Sequence, residues 1–153
     1  MAGSADDGRL GARGPPLRPR LVTRFLLDTT VLIAHLRGDE DVTRFLLDLV
    51  GAGHVVGVCC VNVAEIERGI RPRERKAAEA LLARLAYLPT TQEAAVRAGR
   101  YMAELARRGR TLHLADALVA ATARTHGAVL VTDDVADFPM RDLRVVRPGG
   151  ASA

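Results

Sequence analysis

The chain has no tryptophan and only five other aromatic residues, two Tyr and three Phe, in 153 positions. Its core must therefore be aliphatic, and a nucleic-acid surface built on ladders of stacked rings is ruled against, leaving charge to carry any such contact. Lysine is almost missing too, with Lys76 alone, so the basic charge is arginine. No run of 18 or more apolar residues occurs, which argues against a membrane-spanning helix. The Arg- and Pro-rich start lacks the apolar stretch of a secretory signal. Cysteine is confined to the adjacent pair Cys59 and Cys60 within VVGVCCVNV. Neighbours at a strand end point to opposite faces, and both read as reduced core residues rather than a framework. A soluble, cytoplasmic chain is expected.

What is present suits one globular domain. Hydrophobic residues make up 48% of the chain, enough to fill a single core at this length. The net charge of +4 and the sequence pI near 9.8 fit an anionic partner, though such a balance alone is a weak pointer. Residues 1 to about 20 are rich in Gly, Pro and Arg without apolar periodicity and read as a disordered tail; 21–150 read as the folded domain.

The heptapeptide VTRFLLD occurs twice, from Val22 to Asp28 and from Val42 to Asp48. In the first copy RFLLD has strand length, and TTVLIAHLRG then reads as a helix stopped by Gly38. In the second, GDEDVTRFLLDLVGAG spaces Val42, Phe45, Leu46, Leu49 and Val50 as the apolar stripe of a helix, with acids at its start and Gly51 at its end. Asp28 then falls at a strand-to-helix junction. Asp48 falls on a solvated face, four residues from Arg44 and at ion-pair spacing.

Farther on, HVVGVC reads as a strand and VNVAEIERGI as a helix whose first turn Asn62 caps. RPRERKAAEALLARLAYL reads as one long amphipathic helix after Pro72, and a further helix runs from Thr91 to about Arg108 before the basic loop RRGR. LADALVAATARTHG reads as a helix stopped by Gly127, AVLVTDD as a strand ending in acids, and LRVVRP as a last strand. Alternating strands and helices imply an α/β fold, a three-layer α/β/α sandwich on a mainly parallel sheet.

In open parallel sheets ligands bind beyond the carboxyl ends of the strands. Asp28 and the pair Asp133 and Asp134 end two of the strands, Asp116 lies in the first turn of its helix, and Glu65 lies just beyond another strand. Ala120 and Ala123, one turn on from Asp116, are small enough to leave room around its carboxylate. Asp28, Glu65, Asp116 and Asp134 can thus meet at one sheet edge. Four ionised carboxylates need a neutralising cation, and hard oxygen ligands without His or Cys indicate Mg²⁺ or Mn²⁺. Such an ion acidifies a bound water and stabilises the leaving oxygen of an in-line displacement. The hydroxyls of Thr30 and Thr132, beside two of the acids, are placed to hold a water or a phosphate oxygen.

Singly, each residue has a plainer role. Asp28 can simply cap the following helix and Asp116 can favour the positive end of its own. Glu65 alone reads as a surface acid, Asp133 and Asp137 as turn residues, and His113 as a packed or solvated histidine. The Arg clusters RPRERK and RRGR read as solvated faces, or as the lining of a substrate path. Only the joint placement of the acids lifts a functional reading above these.

FLLDTTVLI, then VNVAEIERGI, then LADALVAATARTHGAVLVTDDVADF together resemble the PIN-domain ribonucleases, in particular the VapC toxins of toxin–antitoxin pairs. The resemblance implies an α/β/α sandwich that uses Mg²⁺ or Mn²⁺ to hydrolyse RNA phosphodiesters and is silenced by a VapB-type antitoxin, with homodimers common. It also implies that Asp28, Glu65, Asp116 and Asp134 are the catalytic and metal-holding acids, with Asp137 assisting. Thr30 stands where Ser is commoner and keeps the hydroxyl. Asp133 is an extra acid, which leaves open which of Asp133 and Asp134 faces the metal. Two other readings remain: a non-catalytic module that binds RNA or an antitoxin, and a haloacid-dehalogenase-type phosphotransferase, suggested by DTTVL. The second lacks an Asp at Thr30 and has only Lys76 for its lysine.

Overall fold

A computed structural model describes residues 21–149, so the tail expected over residues 1 to about 20 lies outside the described residues. The sheet has five strands in the order β3-β2-β1-β4-β5, and every pairing is parallel. β1 (Arg24–Leu27) is central, flanked by β2 (Val55–Val58) and β4 (Val129–Val131), with β3 (Ala86–Tyr87) and β5 (Val145–Val146) at the edges.

Consecutive residues of β1 serve different cores. Leu26 and Leu27 are both sealed from solvent, yet they belong to separate clusters on opposite faces of the sheet. Leu26 joins Leu130 and the residues of α5 (Gln92–Arg107) and α6 (Leu114–Thr125); Leu27 joins Val131, Val58 and the residues of α1 (Thr29–Leu36), α2 (Glu40–Gly51), α3 (Cys60–Gly69) and α4 (Arg75–Arg84). This is the three-layer sandwich, and it explains why the strands are uninterrupted apolar runs.

Helix ends follow local chemistry. Asp39 caps α2 by accepting from the Val42 N–H at 3.0 Å, and Thr91 caps α5 by accepting from the Ala94 N–H at 3.2 Å. Gly38 and Gly127 take φ of 88° and 62° after α1 and α6. Gly57 has a different reason to be glycine: a Cβ there would stand 2.9 Å from the Ala86 carbonyl oxygen, so it lets β3 approach β2.

Several local expectations need correction. The long helix expected after Pro72 is a 3₁₀ turn (Pro72–Glu74) followed by α4, and its expected end is the edge strand β3. Arg44 pairs with Asp41 at 3.8 Å and not with Asp48, because the i, i+3 acid of the first turn is the nearer one. Val50, expected on the apolar stripe, is 58% exposed, while Val42, Leu46 and Leu49 are buried. Asn62 is not the cap of α3: Cys59 holds that position, and Asn62 reaches back from the third helical residue. Ala120 and Ala123 do not open space near Asp116; they are fully buried in the α5–α6 core. Cys59 is buried and Cys60 exposed, both free thiols. Among the described residues no helix is long and apolar enough to cross a membrane.

Candidate functional site

Strand order locates the site. From β1 the chain proceeds through β2 to β3 on one side, then returns to place β4 on the other side of β1. Ligands of open α/β sheets sit at such a reversal, beyond the carboxyl ends of the two strands. Here those ends deliver Asp28, directly after β1, and Thr132 followed by Asp133 and Asp134, directly after β4.

Asp28 is buried at 8% exposure and tightly held. Its backbone N–H continues the β1–β4 ladder by donating to the Val131 carbonyl at 2.9 Å. Oδ1 accepts from the Thr29 N–H at 2.8 Å, which caps α1, and Oδ2 accepts from the Thr132 hydroxyl at 2.8 Å. The Thr30 hydroxyl is a distant third at 3.5 Å, at the limit of a hydrogen bond. Capping and site-building are thus one arrangement rather than alternatives.

Burial raises the Asp28 pKa first, and the charge of Asp134 raises it further, against the lowering effect of the Thr132 and Thr29 hydrogen bonds. Glu65, half-buried on α3, is raised by burial and then by the charges of Asp28 and Asp116. Asp116, half-buried on α6, is raised by burial and then by Asp28, with further contributions from Asp137 and Asp134 and an opposing one from His113. Acids from four separate elements therefore feel one another's charge, offset in part by Arg68 at Glu65 and His113 at Asp116, and a divalent cation would relieve the repulsion that is left.

Among the described residues no three Asp, Glu, His or Cys side chains stand together as a ready-made chelate. The carboxylates are near enough to act on one another electrostatically. The donor set they offer is wholly oxygen, which fits a hard divalent cation of the Mg²⁺ or Mn²⁺ kind.

A family model described as PIN domain matches residues 25–139. The chain belongs to the PIN-domain family. Ribonuclease VapC10 of Mycobacterium tuberculosis is 37% identical over 115 residues, which cover 75% of this chain and 86% of that one. Ribonuclease VapC19 of the same organism is 34% identical over 119 residues, covering 75% and 92%. Among solved structures, a chain of the DNA-bound VapBC of Salmonella typhimurium superposes with a TM-score of 0.70 at 26% identity, covering 82% of this chain and 98% of that one. A chain of VapBC2 from Rickettsia felis, bound to a promoter DNA fragment, gives a TM-score of 0.72 at 18% identity and the same coverages, a likeness of fold.

In this PIN domain the sequence-predicted acids fall into tiers. Asp28 feels the charge of Asp134, Glu65 that of Asp28 and Asp116, and Asp116 that of Asp28, Asp134 and Asp137. Of the adjacent pair it is Asp134, not Asp133, whose charge acts on Asp28 and Asp116. The Asp134 N–H also donates to the Thr132 hydroxyl oxygen at 3.1 Å, so Thr132 joins the two strand ends. His113 is exposed at the N-cap of α6. Thr30 is exposed as well, and Lys76 lies exposed on α4, leaving the phosphotransferase reading without either residue it needs.

One contributor is invisible to motif reading. Asn62, fully buried, accepts from the Cys59 N–H at 2.8 Å and donates to the Thr29 hydroxyl at 3.2 Å. A chain of hydrogen bonds thus runs from the end of β2 through Asn62, Thr29, Asp28 and Thr132 to the Asp134 backbone. The signal was a capping-type residue inside an apolar stretch, yet its partner Thr29 lies 33 positions away.

Proposed function

We propose that this chain is a divalent-metal-dependent endoribonuclease, the toxin of a VapBC-type toxin–antitoxin pair. The observation that carries the reading is a group of four carboxylates at the β1–β4 reversal, linked by charge repulsion through Asp28 and Asp116, in a PIN domain whose relatives are named ribonucleases.

In this reading Asp28 and Asp116 hold the ion, Glu65 and Asp134 complete its shell, and Asp137 assists beside Asp116. A divalent cation bound there supplies charge neutralisation to a phosphodiester and acidity to a water. Asp28, locked by two short hydrogen bonds, is the fixed point of the site, and Thr132 keeps the β4 end in register with it. Glu65 and Asp116 have raised pKa values through burial and neighbouring acids, a repulsion that a bound divalent cation would relieve. Asp133 is read as a solvated neighbour.

The likeness to VapBC complexes supports a VapB-type antitoxin as protein partner, and the family habit supports a homodimer. Incubating the purified chain with structured RNAs in Mg²⁺ or Mn²⁺ tests the enzyme reading. Cleavage that stops in EDTA is expected. RNA binding without cleavage in either metal would instead favour a non-catalytic module.

A further inference from the structure

The acid cluster opens on one side into a cavity of about 180 Å³ bounded by Asp116, Asp137, His113, Arg110 and Leu105. Leu105 is also part of the wall of a second, larger cleft of about 730 Å³, lying between α5 and residues 139–142. Both cavities are lined by that side chain, so the cleft along α5 lies next to the cavity at Asp116.

Its walls are basic in a particular way. Arg97 and Arg100 come from α5, Arg108 from its C-cap, and Arg141 from the facing segment. Two of the cleft's acids are already engaged, Glu104 by Arg108 at 2.9 Å and Asp142 by Arg97 at 3.0 Å. Among the described residues the ion pairs do not include Arg100 or Arg141, which face only Glu93 as an unengaged acid. At the near end, Arg110 donates to the Ala136 carbonyl at 2.8 Å, tying the loop after α5 to the turn that carries Asp134 and Asp137. A guanidinium has five N–H donors, so this tether leaves Arg110 able to grip a phosphate.

The lining says what fits. The one aromatic ring in the cleft wall, Tyr101, is buried with its hydroxyl donating to Asp142 at 2.9 Å, so no base can stack on it. A protein partner would want an apolar centre depleted of charge, whereas here Val96, Leu105, Pro139 and Met140 are interleaved with four arginines and three acids.

We propose that the α5 cleft is the path of the RNA chain flanking the scissile bond, held by its phosphates, with Arg110 nearest the acids and Arg100 and Arg141 farther along. The proposal rests on the nuclease reading above and assigns its substrate a direction across the surface. Phosphate contacts fix register without reading sequence.

The test is anisotropy of a labelled single-stranded RNA of about 20 nucleotides, in EDTA, on the full chain over about 50 to 300 mM salt. The variant Arg100→Gln/Arg141→Gln, at two exposed positions, is compared with Arg73→Gln/Lys76→Gln, which removes the same charge from exposed positions on and beside α4. Each phosphate contact adds about 0.7 to the slope of log affinity against log salt for a single strand, so the cleft variant should lose about 1.4 and bind roughly tenfold more weakly at low salt. The α4 variant should keep the wild-type slope. Equal losses in both variants, or a wild-type chain without salt-dependent RNA binding, overturn the proposal. So does a cleft variant that keeps the slope but changes sedimentation mass, which makes the cleft a contact between copies. Wild-type cleavage in Mg²⁺ with an unchanged cleft slope removes the path and leaves the nuclease; the predicted slope loss without cleavage in any metal removes the nuclease and leaves the path.

Discussion

In the first VTRFLLD, Leu26 and Leu27 are both closed to solvent, one in each core; in the second, Leu46 is buried and Leu47 is 65% exposed. Asp28 is 8% exposed and hydrogen-bonded across 104 positions to Thr132, whereas Asp48 is exposed on α2. Identical residues thus form the central parallel strand in one place, over Arg24–Leu27, and part of an amphipathic helix in the other. What differs is the flank. GDED puts an N-cap and two acids before the second copy, while the first continues into TTVLI and a helix that Asp28 itself caps. Intrinsic propensity is a weak prior, and the partners that cover each face decide.

The contrast can be broken in several ways. The largest effect expected is on chemistry: Asp28→Asn should lower Mg²⁺-dependent RNA cleavage by about 1000-fold, roughly 4 kcal/mol of barrier, with Asp48→Asn within twofold. Steady-state cleavage of one RNA by the two folded variants checks it. Next is packing. Leu27→Ala empties a fully buried site and should cost about 2 to 5 kcal/mol in urea denaturation, while Leu47→Ala should stay within about 0.5 kcal/mol.

Asn62→Ala follows, at about 1 to 3 kcal/mol, because it strips the buried Cys59 N–H of its acceptor and frees Thr29 beside Asp28. Denaturation midpoints measure that cost. A comparable loss from Asn62→Asp would show that the amide's donation to Thr29 matters as well as its acceptance from Cys59.

The smallest effect is one of sign. Asp28, Glu65 and Asp116 have folded pKa values above their ordinary ones, so the folded chain binds more protons than the unfolded one. Their contribution to stability is fully present below the ordinary carboxyl pKa and is lost as pH rises through the raised values. At neutral pH without metal they are a penalty. Asp28→Asn should therefore raise the melting temperature in EDTA at pH 7 relative to pH 4, where the change should be least favourable to the variant; Asp48→Asn should leave both unchanged.

These contrasts also mark what was readable in advance. The acids at strand ends, the helix stops at Gly38 and Gly127 and the opposite fates of Asp28 and Asp48 follow from periodicity, from turn chemistry and from where ligands sit on parallel sheets. β3 was hidden because AYL continues an amphipathic pattern, and only its pairing with Gly57 and Val58 makes it a strand. The roles of Asn62 and Thr132 depend on partners 33 and 104 positions distant, which no local window contains. Sequence alone leaves Asp133 and Asp134 equivalent, whereas in the fold it is the charge of Asp134 that acts on Asp28 and Asp116.

In the proposed function Asp28 is the fixed ligand of a cation site that its twin Asp48 does not share. Titrating Mn²⁺ into the wild-type chain, Asp28→Asn and Asp48→Asn, and following free Mn²⁺ by electron paramagnetic resonance, tests this without relying on turnover. The account predicts saturable binding by the wild type and Asp48→Asn and its loss in Asp28→Asn. Unaltered binding by a folded Asp28→Asn, or equal loss in Asp48→Asn, would contradict it.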